Sequence, residues 1–268
     1  MRRGLWITCA ALMVVCAGMP ASAVVYVNVN NTSGTYNGNS WATAWRTLQE
    51  GIDDAVATAD LDVWVAAGTY NRGAYKYATG TQETWGNVAV DGSVILKTGV
   101  RLYGGFDGTE TVTQFSRRAV RQNVTIIDGT NARTTQGGGD AFHVVVVGDQ
   151  GAAVANVTLD GFTITGGNAA GYNTGNPTTA YHTYRGGGLF NWRSAPTIAN
   201  CTFVDNEAAV SGGAMANETY GADSANAIIQ CCAFYDNYAN RGADNAVPPN
   251  PVRGGGAMFN NDANAALV

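Results

Sequence analysis

Apolar positions in this chain fall in short, β-branched runs bounded by glycine, aspartate or asparagine. Val63-Trp64-Val65, Val94-Ile95-Leu96, Val100-Arg101-Leu102-Tyr103, Thr125-Ile126-Ile127, Phe142 to Val147, Val157-Thr158-Leu159 and Phe162-Thr163-Ile164 each predict a strand. The stretch from Thr47 to Ala57 differs. Thr47 and Glu50 form a capping box, and Leu48, Ile52, Ala55 and Val56 recur at helical spacing.

The second half repeats itself. Ile198 to Asn206 aligns with Ile229 to Asn237 once one residue is inserted after Ile198; Phe203 returns as Phe234 after 31 residues, and Asp205-Asn206 as Asp236-Asn237. Between these blocks a second unit recurs: Gly186-Gly187-Gly188-Leu189-Phe190-Asn191, then Gly212-Gly213-Ala214-Met215-Ala216-Asn217, then Gly255-Gly256-Ala257-Met258-Phe259-Asn260. Glycine followed by a short apolar step and asparagine predicts a corner, a brief strand and another corner. Such strands cannot bury an apolar face alone, but coils stacked about 4.8 Å apart bury one another's inward residues. The expected fold is therefore all-β: a right-handed single-stranded parallel β-helix, or solenoid, with a short N-terminal capping α-helix. Phe203 over Phe234, Cys201 over Cys232 and Asn206 over Asn237 are its expected ladders. Cys231 is expected to face away from Cys232.

Arg2 and Arg3, the apolar run Leu5 to Ala17 and the small residues Ala21-Ser22-Ala23 read as a secretory signal peptide. The domain reading is thus 1–23 signal peptide, 24–62 N-terminal strand and capping helix, and 63–268 β-helix coils. No C-terminal counterpart of the helix is evident before Val268, so a fragment, or end-to-end self-association through an uncapped last coil, is expected. No later segment is long enough to span a bilayer. Removing the leader takes two of the 15 Lys+Arg and leaves 13 against 20 Asp+Glu, a charge of −7. That balance argues against nucleic acid as a partner. Lys76 and Lys97 are the only lysines, which argues against a polybasic membrane patch. The mature cysteines, Cys201, Cys231 and Cys232, form no disulfide framework and read as buried hydrophobes. With His143 and His182 the only histidines, no metal site is expected.

These blocks resemble the repeats of the chlamydial polymorphic membrane proteins, which alternate GGA-plus-aliphatic and FxxN tetrapeptides, matched here by Gly212 to Met215, Gly255 to Met258, Phe203 to Asn206 and Phe234 to Asn237. The first half also looks like the opening of bacterial secreted β-helix proteins with such repeats. The residues are Tyr26-Val27-Asn28, Gly38-Asn39-Ser40-Trp41, Trp64 to Tyr70, Tyr103-Gly104-Gly105-Phe106 and Leu159 to Ile164. The resemblance implies a secreted or cell-surface β-helix and carries over no catalytic residue.

Asp205 and Asp236 would stack at related corners, but beside the ladder asparagines they read first as turn formers, as do Asp107-Gly108, Asp128-Gly129 and Asp160-Gly161. Arg101, Arg185, Arg193 and Lys97 could serve a lyase, yet no compact motif joins one to an acidic cluster. His143 lies among valines, where a core role is expected. The loop Asn168 to Arg185 interrupts the pattern and carries Tyr172, Tyr181, His182 and Tyr184, with Trp192 and Arg193 at the next corner. Tyr172, Tyr181, Tyr184, Arg185, Trp192 and Arg193 are therefore the candidate ligand-binding residues, either stacking on sugar rings or folding over the coil as a lid. Tyr70 to Trp85, with Tyr75 and Tyr77, is a second such loop.

The leading expectation is a non-enzymatic surface protein that contacts an extracellular glycan or cell-surface protein and needs no cofactor. The rival is a polysaccharide lyase or glycoside hydrolase on a pectate-lyase-like scaffold, the one reading in which calcium enters. A structural envelope component is the third.

Overall fold

A computed structural model of the chain describes residues 24–71, 84–85, 88–89, 92–133, 138–148, 153–170, 184–219, 225–239, 256–261 and 266–267. The leader, the loop residues Tyr75, Tyr77, Tyr172, Tyr181 and His182, and the corner glycine Gly255 lie outside the described residues.

Seven parallel strands form the longest sheet, in the order Val24–Val27, Asp62–Ala66, Arg101–Phe106, Thr158–Asp160, Thr197–Ala199, Ile228–Gln230 and Ala266–Leu267. A five-stranded sheet takes Gly68–Tyr70, Thr125–Asp128, Thr163–Thr165, Thr202–Val204 and Ala233–Tyr235. Another takes Val94–Leu96, Val145–Val147, Leu189–Trp192, Met215–Glu218 and Met258–Asn261. Two-residue strands at Asn168–Ala169, Glu207–Ala208 and Tyr238–Ala239 make a fourth, which the sequence pattern did not predict. From Thr158 to Asn261 each pass of the chain places one strand in each of these four sheets. Among the described residues, apart from a two-stranded antiparallel pair at Thr84–Trp85 and Val88–Ala89, every strand pairing is parallel. The all-β, parallel-sheet expectation holds.

Register explains why the repeats recur. Val25, Val63, Leu102, Leu159, Ile198 and Ile229 lie opposite one another in successive strands, all inward and buried. Each such side chain contributes about 1.5–3 kcal/mol by leaving water. Phe203 lies over Phe234 with ring centroids 5.1 Å apart and planes within 3°. The offset is constant from Ile198↔Ile229 to Phe203↔Phe234, with no insertion.

Polar ladders run beside the apolar ones. Asn191 donates to Asn217 Oδ1 at 2.9 Å, and Asn217 donates to Asn260 Oδ1 at 2.8 Å. Asn206 likewise donates to Asn237 at 3.0 Å, while its own Oδ1 accepts from Gly167 N at 3.1 Å. Corners stack as well. Gly161, Asn200 and Cys231 share one left-handed corner on successive passes, with φ of 87°, 51° and 51°. Gly166, Asp205 and Asp236 share the next, with φ of 74°, 53° and 53°. Asp205 and Asp236 are thus turn residues, as expected. Cys231 departs from expectation: it occupies a corner rather than a strand, and it is exposed.

The helix Leu48–Thr58 forms where predicted, shifted by one residue. Thr47 Oγ1 accepts from Glu50 N at 3.2 Å, and the Thr47 hydroxyl donates to the Glu50 carboxylate at 2.8 Å. Leu48, Ile52 and Ala55 are buried in the main core, whereas Val56, at the margin of that stripe, is 43% exposed. Gln49 does what the helix is placed for. Its amide accepts from Ile95 N at 2.9 Å and donates to Ile95 O at 3.3 Å, replacing the missing neighbour of an edge strand.

Candidate functional site

Two surfaces concentrate chemistry. The first is the outer side of the sheet containing Leu189–Trp192, where Ile95, Val146, Phe190, Ala216 and Phe259 form a second buried apolar column with Trp192 half-buried against it. The His143 ring stacks on Phe190 at 4.9 Å, and its Nδ1 donates to Gly186 O at 2.9 Å, so the histidine is a core residue as expected. Arg185 is buried, pairs with Glu218 at 3.0 Å and lies 4.5 Å above the Phe259 ring. Breaking such a buried pair costs about 3–5 kcal/mol, which assigns Arg185 to holding successive passes together. Tyr184 packs with Ala209 and Val210. Of the residues anticipated here, Trp192 and Arg193 are the half-buried pair; Arg193 sits at a left-handed corner (φ 55°) and donates its N–H to Glu218 O at 2.9 Å.

The second surface was not anticipated. On the outer face of the seven-stranded sheet, Tyr26, Trp64, Tyr103 and Asp160 lie in one column, with Asp62 and Arg101 opposite each other in the next. Trp64 stacks on Phe106 at 4.5 Å and 9°, and Tyr26 packs edge-on against Trp41 at 4.7 Å. Arg101 pairs with Asp62, and Arg118 with Asp160. The Arg118 guanidinium lies 5.5 Å from the Tyr103 ring centre and 5.3 Å from that of Phe115. Asp160 also accepts from Asn200 Nδ2 at 2.8 Å.

The segment between Phe106 and Thr125 makes this possible by leaving the sheet and returning over its face. Its start is fixed by Glu110, a buried carboxylate that accepts from the backbone N–H groups of Asp107, Gly108 and Thr109 at 2.8, 3.1 and 3.1 Å. Ala119 N donates to Gly105 O at 2.8 Å and brings Arg118 above the strand. Phe115 packs against Tyr103 at 4.9 Å while staying 41% exposed. Burial first, and then the Asp62 carboxylate, push the Tyr103 phenol above its ordinary pKa, so it remains a neutral donor.

The cysteines stack as expected. Cys201 is buried and Cys232 half-buried, and both thiols donate to carbonyls two residues back, Ala199 O at 3.1 Å and Gln230 O at 3.3 Å. Burial raises the Cys201 thiol, whereas a hydrogen bond from Cys201 lowers Cys232. Among the described residues no group of three or more His, Cys, Asp or Glu could hold a metal ion, and no helix is long and apolar enough to cross a membrane.

Compared with protein-family models, curated proteins and solved structures, the chain matches none.

Proposed function

We propose that the chain is an exported right-handed single-stranded parallel β-helix, kin to the proteins with polymorphic-membrane-protein-type repeats, that contacts a glycan at or outside the cell surface without transforming it. The observation that carries the reading is the outer face of the seven-stranded sheet, where aromatic rings and two carboxylate–guanidinium pairs stand together on a rigid stack. Saccharides are bound by such mixtures, because ring faces pack on aromatic side chains while hydroxyls both donate and accept. The in-register parallel pairing supports the β-helix, and the leader motif supports export. Adhesion to a cell-surface protein is the same surface used on a different partner.

One observation favours the enzyme reading: Asp62, Arg101, Arg118 and Asp160 surround a tyrosine. A glycoside hydrolase requires a pair of carboxylates and a lyase requires a base such as arginine beside carboxylates that bind calcium.

A polysaccharide panel run on the mature chain, scored for binding and for released reducing or unsaturated ends, with and without calcium, separates the two. Binding without product is the expected result; product release replaces this reading with the enzyme.

A further inference from the structure

Resting on that glycan-contact reading, we propose that the strip centred on Tyr103 is the binding site and that its ligand is a neutral, hydroxyl-rich saccharide chain. Phe115 is an aromatic ring 41% exposed, held in place by Tyr103, Trp64, Phe106 and Arg118 at 4.9–6.0 Å. That is a rigid apolar platform for the C–H face of a pyranose. Polar groups of both kinds border it. Arg101 bonds Asp62 through Nε, and its side chain is 43% exposed, so its terminal N–H groups are available to donate. Asp160 uses Oδ1 for both Arg118 and Asn200, and Oδ2 is left to accept.

The charges decide the ligand class. Each guanidinium in the strip already faces a carboxylate, so a saccharide carrying its own carboxylate or sulfate would meet Asp62 and Asp160 as well as the arginines. A neutral hydroxyl donates to the carboxylates and accepts from the guanidiniums without breaking either pair. The register supplies length: Tyr103 and Asp160 stand opposite each other on adjacent strands, with Trp64 buried beside Phe115 as support, which lets a chain cross from one pass of the stack to the next.

The test is affinity electrophoresis of the mature chain in gels carrying laminarin, xyloglucan, galactomannan or hydroxyethyl cellulose, with polygalacturonate and alginate as acidic counterparts. Phe115→Ala, Phe115→Tyr, Tyr103→Phe and Trp192→Ala are run beside the native chain, with circular dichroism as the check on folding. The expected result is retardation by a neutral polymer, weakened about tenfold or more by Phe115→Ala, an effect of about 1.4 kcal/mol. Phe115→Tyr restores binding, Tyr103→Phe weakens it, and Trp192→Ala leaves it intact. Neutral-polymer binding abolished by Trp192→Ala but untouched by Phe115→Ala overturns the site while the glycan reading stands. Binding confined to the acidic polymers and lost in high salt overturns the ligand class. No retardation by any polymer removes the glycan reading and this site with it.

Discussion

The side-chain amide of Asn206 donates to Oδ1 of Asn237 across 3.0 Å, one pass further along the stack. The same amide donates to Ile164 O at 2.9 Å on the preceding pass, so a single buried side chain ties three passes together. Asn191 and Asn217 perform the same task on another sheet. Identical amides recur because an amide is donor and acceptor at once, and each copy satisfies the next.

Replacing Asn206 with leucine leaves the Gly167 N–H without its acceptor and takes one donor from each of the Ile164 and Asn237 oxygens, the latter keeping the Asn206 backbone N–H. A loss of at least about 1–3 kcal/mol is expected, read as a shift in the urea midpoint. Asn237→Leu costs less, because Asn237 is more exposed.

Phe203→Ala removes a fully buried ring from the centre of its ladder and is expected to destabilise by about 3–5 kcal/mol. Phe234→Ala, at the half-buried end of the same stack, loses less. Equal losses in urea unfolding would contradict the inward assignment of Phe203.

Gln49→Ala uncovers both backbone groups of Ile95. Thermal unfolding should show a loss of about 1–3 kcal/mol. Light scattering should rise as well, because a bare strand edge templates pairing with another chain.

The thiols titrate in opposite directions. The folded state holds Cys201 protonated above the ordinary cysteine range, whereas the unfolded chain ionises it. Its contribution to stability is full below that range and declines as pH rises through it. Alkylation should modify exposed Cys231 in the native protein, and Cys201 only on unfolding. Cys232 should react at lower pH than an ordinary thiol, an advantage lost in Cys201→Ala. The check is peptide mapping after timed labelling at a series of pH values.

Much of the architecture was legible because local residue types dictate it. Gly-Gly-apolar-Asn blocks mark corners, and short apolar runs such as Val94-Ile95-Leu96 mark strands; the second buried column, through Ile95 and Phe190, is a finding of the structure. The helix was legible from Thr47 and its stripe, although Val56 lay too far round that stripe to be buried. The strip was not legible. Arg101 meets Asp62 across 39 residues, Arg118 meets Asp160 across 42, and Asn200 meets Asp160 across 40. No local spacing encodes such pairs: strand register joins Arg101 to Asp62, and the return of the segment after Phe106 brings Arg118 to Asp160. Asp160-Gly161 looked like a turn because the glycine does occupy a corner, yet Asp160 ends a strand and faces outward. The usable signal was the alternation within strands, which places Trp64, Tyr103 and Asp160 on the face opposite Val63, Leu102 and Leu159.

The most direct test of the account is a crystal structure of the mature chain soaked with an oligosaccharide of the polymer that retards it most. The account predicts an intact saccharide over Phe115 and Tyr103, with hydroxyls on Asp160 and Arg101. A saccharide seated at the Trp192 corner with the strip empty, or a cleaved product at either place, would contradict it.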